Sequence, residues 1–114
     1  MAVAMFIRSP QLGRAEYDRL VAGLELDARP PFGQLLHFGV ERDGRVDVVE
    51  IWQTAAAALA YVENRLTPGL ESVKAKEPEV ELVALHNLFA PDLDAIGLIG
   101  GISLPAYVVG AALP

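Results

Sequence analysis

The chain has 114 residues, 53% of them hydrophobic, which is the size and composition of one ordinary domain with an apolar core of its own. Its net charge of -6, from 15 acidic and 9 basic residues with no run of Lys or Arg, excludes the phosphate-neutralising surface that a nucleic-acid partner requires. Cysteine is absent, so disulfides, thiolate metal sites and cysteine nucleophiles are excluded, and a reducing cytoplasm is the expected setting.

The opening stretch MAVAMFIRSP is apolar, has no preceding basic region and is too short for a secretory signal, so Val3–Arg8 is expected as a buried strand closed by Ser9 and Pro10. From Gly13 to Leu26, Tyr17, Leu20, Val21 and Leu24 fall on one helix face, and Arg14, Glu16, Asp18 and Arg19 fill the other. Paired prolines, Pro30 and Pro31, then make a stiff connection to the next strand.

Leu35 to Thr54 reads as a β-hairpin turning at Asp43 and Gly44, a pair that tolerates the positive backbone angles of a two-residue type I′ loop. Counting outward from that turn sets Gly39 opposite Val48, His37 opposite Glu50 and Leu35 opposite Trp52, with Leu36, Phe38, Val40, Val49 and Ile51 on the other face. Both faces are therefore largely apolar and both need a cover.

Thr54 is expected to cap a second helix with Ala55, Ala58, Leu59, Val62 and Leu66 on its apolar stripe, and Tyr61 off it. Thr67 and Pro68 are expected to restart that helix, and Val80 to Leu88 forms a last strand with His86 on the face of Val80, Leu82 and Ala84. Ala95–Pro114 carries no charge and approaches the length of a membrane span, but Gly97, Gly100, Gly101, Pro105 and Gly110 interrupt any helix. It is expected as an arm or extra strand, with no membrane role.

The order β, α, β, β, α, β is that of an α+β domain in which an antiparallel four-stranded sheet carries two helices on one side. The opposite apolar face then calls for a second copy joined sheet to sheet, or for the C-terminal arm. The expected division is a domain over residues 1–90 and an arm over residues 91–114 that packs on that domain or on the partner subunit.

The strand VAMFIR, the Tyr17 helix, the segments PPFGQLLHFGVERDG and VVEIWQT, and NRLTPGL before VELVALHNLF together resemble the dimeric α/β-barrel superfamily. Within it they resemble the antibiotic biosynthesis monooxygenase-like group, over about residues 3–90. The resemblance implies a ferredoxin-like protomer, a homodimer whose sheets form a barrel, and a cleft between sheet and helices. Function varies widely on this fold, from cofactor-independent oxygenation of polycyclic aromatics to haem degradation and simple ligand binding. Trp52 matches the strand-terminal tryptophan of the haem-degrading members. Their first-strand asparagine and second-helix histidine have no counterpart in VAMFIR or TAAAALAYVENRL, so haem degradation is not expected.

His37 and Glu50 are the candidate catalytic residues: their Cβ atoms are expected about 5 Å apart, and a carboxylate beside an imidazole orients the ring for proton transfer. Trp52, Leu35, Val48 and Tyr17 are the candidate substrate-binding residues, with the indole offering a surface for a flat apolar ligand. The plain alternative is that His37 and Glu50 satisfy each other in a partly buried sheet and that Trp52 is a core or interface aromatic. His86, Tyr61 and Arg8 read first as packing or surface residues. Two histidines without a third ligand make no metal site, and none is expected; no cofactor is expected either. Phosphate loops and nucleophile elbows are absent.

Two functions fit these observations. One is a cofactor-independent monooxygenase-like enzyme, an oxidoreductase acting on an apolar aromatic or polyketide-like small molecule. The other is a non-catalytic ligand-binding or stress-related homodimer that uses the same cleft.

Overall fold

The computed structural model describes residues 1–92 and 94–98. Four strands, β1 (Val3–Arg8), β2 (Gln34–Arg42), β3 (Arg45–Trp52) and β4 (Glu79–Ala84), form one antiparallel sheet in the order β2-β3-β1-β4. The first helix, α1 (Arg14–Leu24), follows β1, and a helical stretch links β3 to β4. This is the ferredoxin-like α+β arrangement expected from the element order. Of the arm expected beyond residue 90, a short 3-10 turn at Asp94–Leu98 is described, and residues 99–114 lie outside the described residues.

The hairpin turns where the sequence places it. Asp43 and Gly44 have φ of 53° and 78°, the two positive angles that a type I′ loop needs, and Arg42 pairs with Arg45. The register then runs as counted through Gly39 opposite Val48 and His37 opposite Glu50. It breaks between Gln34 and Leu36, where a bulge inserts one residue and leaves Gln34, not Leu35, opposite Trp52. Leu35 is 51% exposed and is not the cross-strand neighbour that the uninterrupted count makes it.

Thr54 caps the second helix by accepting the Ala57 N–H at 3.1 Å. The backbone then stays helical through α2 (Ala55–Tyr61), a π-helical turn at Val62–Leu66, and α3 (Thr67–Ser72). Pro68 lies in the first turn of α3 as expected, but Thr67 is not an N-cap. Thr67 is itself helical, with φ -60° and ψ -49°, and donates its N–H to the Val62 carbonyl, five residues back. Proline has no N–H to give and its ring crowds the preceding turn, so the wider π turn lets the helix pass Pro68 instead of stopping at it. The apolar stripe differs too: Tyr61 is 4% exposed and belongs to the core, whereas Leu59 is 54% exposed.

The last strand ends at Ala84 because its ladder partner runs out: Ala84 pairs with Val3, and the Leu85 N–H reaches the Ala2 carbonyl at 3.0 Å. His86 therefore lies beyond the strand and is exposed, not on its inner face.

One sheet face packs on the helices. Met5, Ile7, Val48 and Trp52 meet Leu20, Leu24, Tyr61 and Leu70 there, all of them buried. On the opposite face Phe38, Val40 and Val83 are each about two-fifths exposed, so the described residues leave part of that apolar surface uncovered. No helix among the described residues is long and apolar enough to cross a membrane.

Candidate functional site

Glu50 lies at the centre of the helix-covered sheet face and is fully buried. A carboxylate there is expensive to desolvate unless both oxygens are paired. Both are: Oε2 lies 2.7 Å from His37 Nδ1, and Oε1 accepts the Trp52 indole N–H at 3.1 Å. The pairing follows from β-sheet geometry, since His37 is the cross-strand neighbour of Glu50 and Trp52 is two residues along the same strand.

An ionised carboxylate only accepts, so His37 donates from Nδ1 and, in its neutral form, leaves Nε2 as an acceptor. Tyr17 Oη sits 2.8 Å from that nitrogen and donates to it, its ring lying nearly parallel to the imidazole at 19°. The result is one chain of hydrogen bonds, Tyr17 to His37 to Glu50, with Trp52 fixing the far oxygen. Gly39 makes the approach possible: a Cβ there would stand 3.1 Å from Tyr17 Cζ and 2.8 Å from Val46 Cγ1. Burial, helped by the nearby Glu50 and Asp18 charges, pushes the Tyr17 hydroxyl up to about 12, so it stays a neutral donor at physiological pH.

Access is uneven along this chain. The His37 side chain is 15% exposed and Tyr17 is half-buried, while Glu50 and Trp52 have no exposed surface and Val48 has 2%. Trp52 faces the core, with its ring 5.0 Å from that of Tyr61. Its indole is fully buried and offers no surface to a ligand in this structure. Of the residues expected at the site, Tyr17, His37, Glu50 and Trp52 come together by direct hydrogen bonds. Val48 lies beneath them in the core and Leu35 is carried away by the bulge.

Three residues next to Trp52 or to its neighbour Tyr61 are not among the site residues expected from the sequence. Gln34 is its cross-strand partner, Tyr61 packs on its ring, and the Arg65 guanidinium lies 5.9 Å from the Tyr61 ring centre. Arg65 also donates to the carbonyls of Arg29, at 2.8 Å, and Leu24, so it ties the end of α1 to the π turn. Burial and the Glu50 charge raise the Tyr61 hydroxyl well above the ordinary tyrosine range. The spacing Ala58, Tyr61, Val62, Arg65 carries the signal for this second face, but a stripe counted from Ala55 through Leu59 obscures it. Two surface depressions, of about 400 Å³ beside Leu70 and Lys74 and about 290 Å³ between Leu24 and Pro68, do not include His37, Glu50 or Trp52.

With the sheet order and this residue set in view, the protein is an α+β protomer of the ferredoxin-like type with a polar chain between sheet and helices. No protein-family model matches the chain, and no curated protein matches it. Solved structures do. A protein of unknown function from Nitrosomonas europaea is similar at a TM-score of 0.63 and 21% identity, over 79% of this chain and 94% of its own. A candidate antibiotic biosynthesis monooxygenase from Deinococcus radiodurans is similar at 0.56 and 14% identity, over 79% and 97%. SnoaB, a cofactor-independent oxygenase from Streptomyces nogalater, is similar at 0.55 and 19% identity, over 76% and 95%. At these identities the likeness is one of fold: the chain has the ferredoxin-like fold of the antibiotic biosynthesis monooxygenase-like group.

Proposed function

We propose that the chain is a cofactor-independent oxygenase-like enzyme acting on flat aromatic molecules that bear an acidic C–H or phenolic group. The observation that carries this reading is the Tyr17–His37–Glu50 chain, with contacts of 2.8 and 2.7 Å. It is a proton-transfer unit with a buried carboxylate behind it. The fold shared with SnoaB, itself a cofactor-independent oxygenase, is compatible with the reading.

In the proposed step the substrate proton passes to the Tyr17 oxygen as the Tyr17 proton passes to His37 Nε2, and Glu50 holds the resulting imidazolium at Nδ1. The substrate carbanion gives its electrons to dioxygen and forms a peroxide. The peroxide takes the proton back from His37, then loses water to leave a carbonyl. For anthrone, whose methylene is acidified by two rings and a carbonyl, the balance is anthrone plus dioxygen to anthraquinone plus water. The site acts as a homodimer joined through the open face of Phe38, Val40 and Val83, and a cytoplasmic setting suits a chain without cysteine.

Aerobic conversion of anthrone at neutral pH, followed by absorbance of anthraquinone, tests the reading. His37→Ala is expected to slow the enzyme-dependent rate about 100-fold, the scale of a lost general base. Full turnover by that variant removes the mechanism. A second reading, ligand binding without chemistry, is favoured by a different observation: both Glu50 oxygens and both His37 ring nitrogens are already satisfied within the chain, as in a structural network. Anthrone bound by the parent protein and recovered unchanged after aerobic incubation supports that second reading.

A further inference from the structure

Three tyrosines occur in the chain, and the two that lie among the described residues have opposite hydrogen-bond environments. The Tyr61 hydroxyl is buried and has no partner. The Tyr17 hydroxyl donates to His37 Nε2 at 2.8 Å, and that imidazole is held at Nδ1 by the fully buried Glu50, 2.7 Å away. Of the two, Tyr17 alone has a base preset for its proton. The second oxygen of Glu50 is fixed by the Trp52 indole, so an imidazolium formed at His37 has its counter-charge already in place.

That pairing bears on electrons as well as on protons. A phenol that loses one electron becomes a far stronger acid, so at neutral pH the electron leaves readily only when the proton leaves with it. Outright loss of the Tyr17 proton is opposed by burial and by the Glu50 and Asp18 charges, which push its hydroxyl up to about 12. Passing the proton one hydrogen bond along to His37 avoids a charged ring: the phenoxyl is neutral, and the positive charge arises on an imidazole 2.7 Å from a carboxylate. The same two negative charges favour withdrawal of an electron from the Tyr17 ring. That ring is half-buried and lies nearly parallel to the imidazole. Electron transfer from its edge needs no ligand atom on the hydroxyl, whose proton is already committed to His37.

We infer that Tyr17 is a redox-active tyrosine, which gives one electron to an oxygen-centred radical of the aroxyl or peroxyl class while its proton moves to His37 Nε2. The Tyr17 O–H bond breaks and an N–H bond forms at His37. Tyr17 is oxidised to a neutral phenoxyl radical, His37 becomes an imidazolium held by Glu50, and the oxygen radical RO• is reduced to its anion RO−. This goes beyond the proposed oxygenase chemistry, in which Tyr17 carries protons alone, and it rests on that reading only for the source of the radical. Ground-state dioxygen has two unpaired electrons and takes electrons from a carbanion one at a time, so radicals of this class arise where the proposed step takes place.

The test uses the full chain carrying Tyr61→Phe and Tyr107→Phe, which leaves Tyr17 as its one tyrosine. Tris(bipyridine)ruthenium(III), generated by a laser flash, is the oxidant; no aromatic ligand is present, and the solution is at about pH 8, where an ordinary imidazole is neutral. A tyrosyl radical is expected, seen by its transient absorbance and by electron paramagnetic resonance of a freeze-quenched sample. It should form more slowly in D2O, because the proton moves with the electron. Adding His37→Gln, whose amide still donates to Glu50, is expected to slow its formation about 100-fold, the scale on which a positioned base acts. Adding Tyr17→Phe should abolish it. A radical confined to Trp52, or a tyrosyl radical that forms at the same rate with and without His37, overturns the inference. So does a rate unchanged in D2O, a result that does not depend on how well the His37 variant folds. Because neither ligand nor turnover enters the measurement, the oxygenase reading stands or falls separately, on anthrone conversion by His37→Ala.

Discussion

Replacing Glu50 tests whether the polar chain holds the fold as well as the chemistry. Glu50→Ala leaves the Trp52 indole N–H and the His37 Nδ1–H without their acceptor in a place that water does not reach. Each orphaned buried donor costs about 1–3 kcal/mol, and deleting the carboxylate returns part of its own desolvation cost, so the net loss is roughly 3 kcal/mol. For a chain of 114 residues, that lowers the melting temperature by about 12 °C, at roughly 4 °C per kcal/mol. Glu50→Gln should behave differently. Its amide oxygen accepts from Trp52 and its NH2 donates to His37 Nδ1 once the ring adopts its other tautomer, in which Nε2–H donates to the Tyr17 oxygen. The Trp52 and His37 groups remain paired and one amide hydrogen is left without an acceptor, so the loss is about 1 kcal/mol, and the direction of donation between His37 and Tyr17 is reversed. Thermal and urea denaturation of the two variants measure the gap, which should be about 2 kcal/mol. Two variants of equal stability would refute the argument that satisfied hydrogen bonds to this carboxylate, and not its volume, are what the core requires.

The remaining predictions concern the neighbours of that carboxylate and the open sheet face. Tyr17 loses its proton only near pH 12 in the folded protein, against about 10 when unfolded, so its contribution to stability is complete below pH 10 and is lost as pH rises toward 12. Alkaline unfolding followed by circular dichroism should show that loss, and Tyr17→Phe should flatten it; an unchanged profile contradicts the burial argument. Gly39→Ala sets a methyl carbon 3.1 Å from Tyr17 Cζ and 2.8 Å from Val46 Cγ1. It should destabilise by about 1–3 kcal/mol and part Tyr17 from His37, visible as a change in the His37 ring resonances, whereas native stability with an unperturbed ring spectrum rules this out. Phe38→Glu places a charge on the apolar sheet face, and sedimentation equilibrium should show the mass fall to that of one chain; a dimer that survives the substitution does not use this face.

The central pair of the site was legible because sheet chemistry is local. An Asp-Gly turn fixes the register of the strands beside it, and a period of two then carries His37 and Glu50 to the same face without reference to the rest of the molecule. The count fails at Leu35, where a bulge that no local residue signals inserts one position. It also fails past Pro68, because whether a helix stops at a proline or widens around it depends on what the rest of the helix packs against. The role of Gly39 was hidden for a related reason: a strand glycine announces that something comes close, but the tyrosine that comes close is 22 positions earlier in the chain.

By itself, then, the sequence determines the order of elements, the hairpin turn and the His37–Glu50 pairing, all of which follow from periodicity and turn chemistry within a few residues. Only the tertiary structure decides that Tyr17 closes on His37, that Trp52 packs against Tyr61 in the core, and that Arg65 ties the end of α1 to the π turn. Those contacts join a helix face to a sheet face, and the depth and rotation at which such faces meet are set by the close packing of side chains from distant segments, which no local repeat encodes.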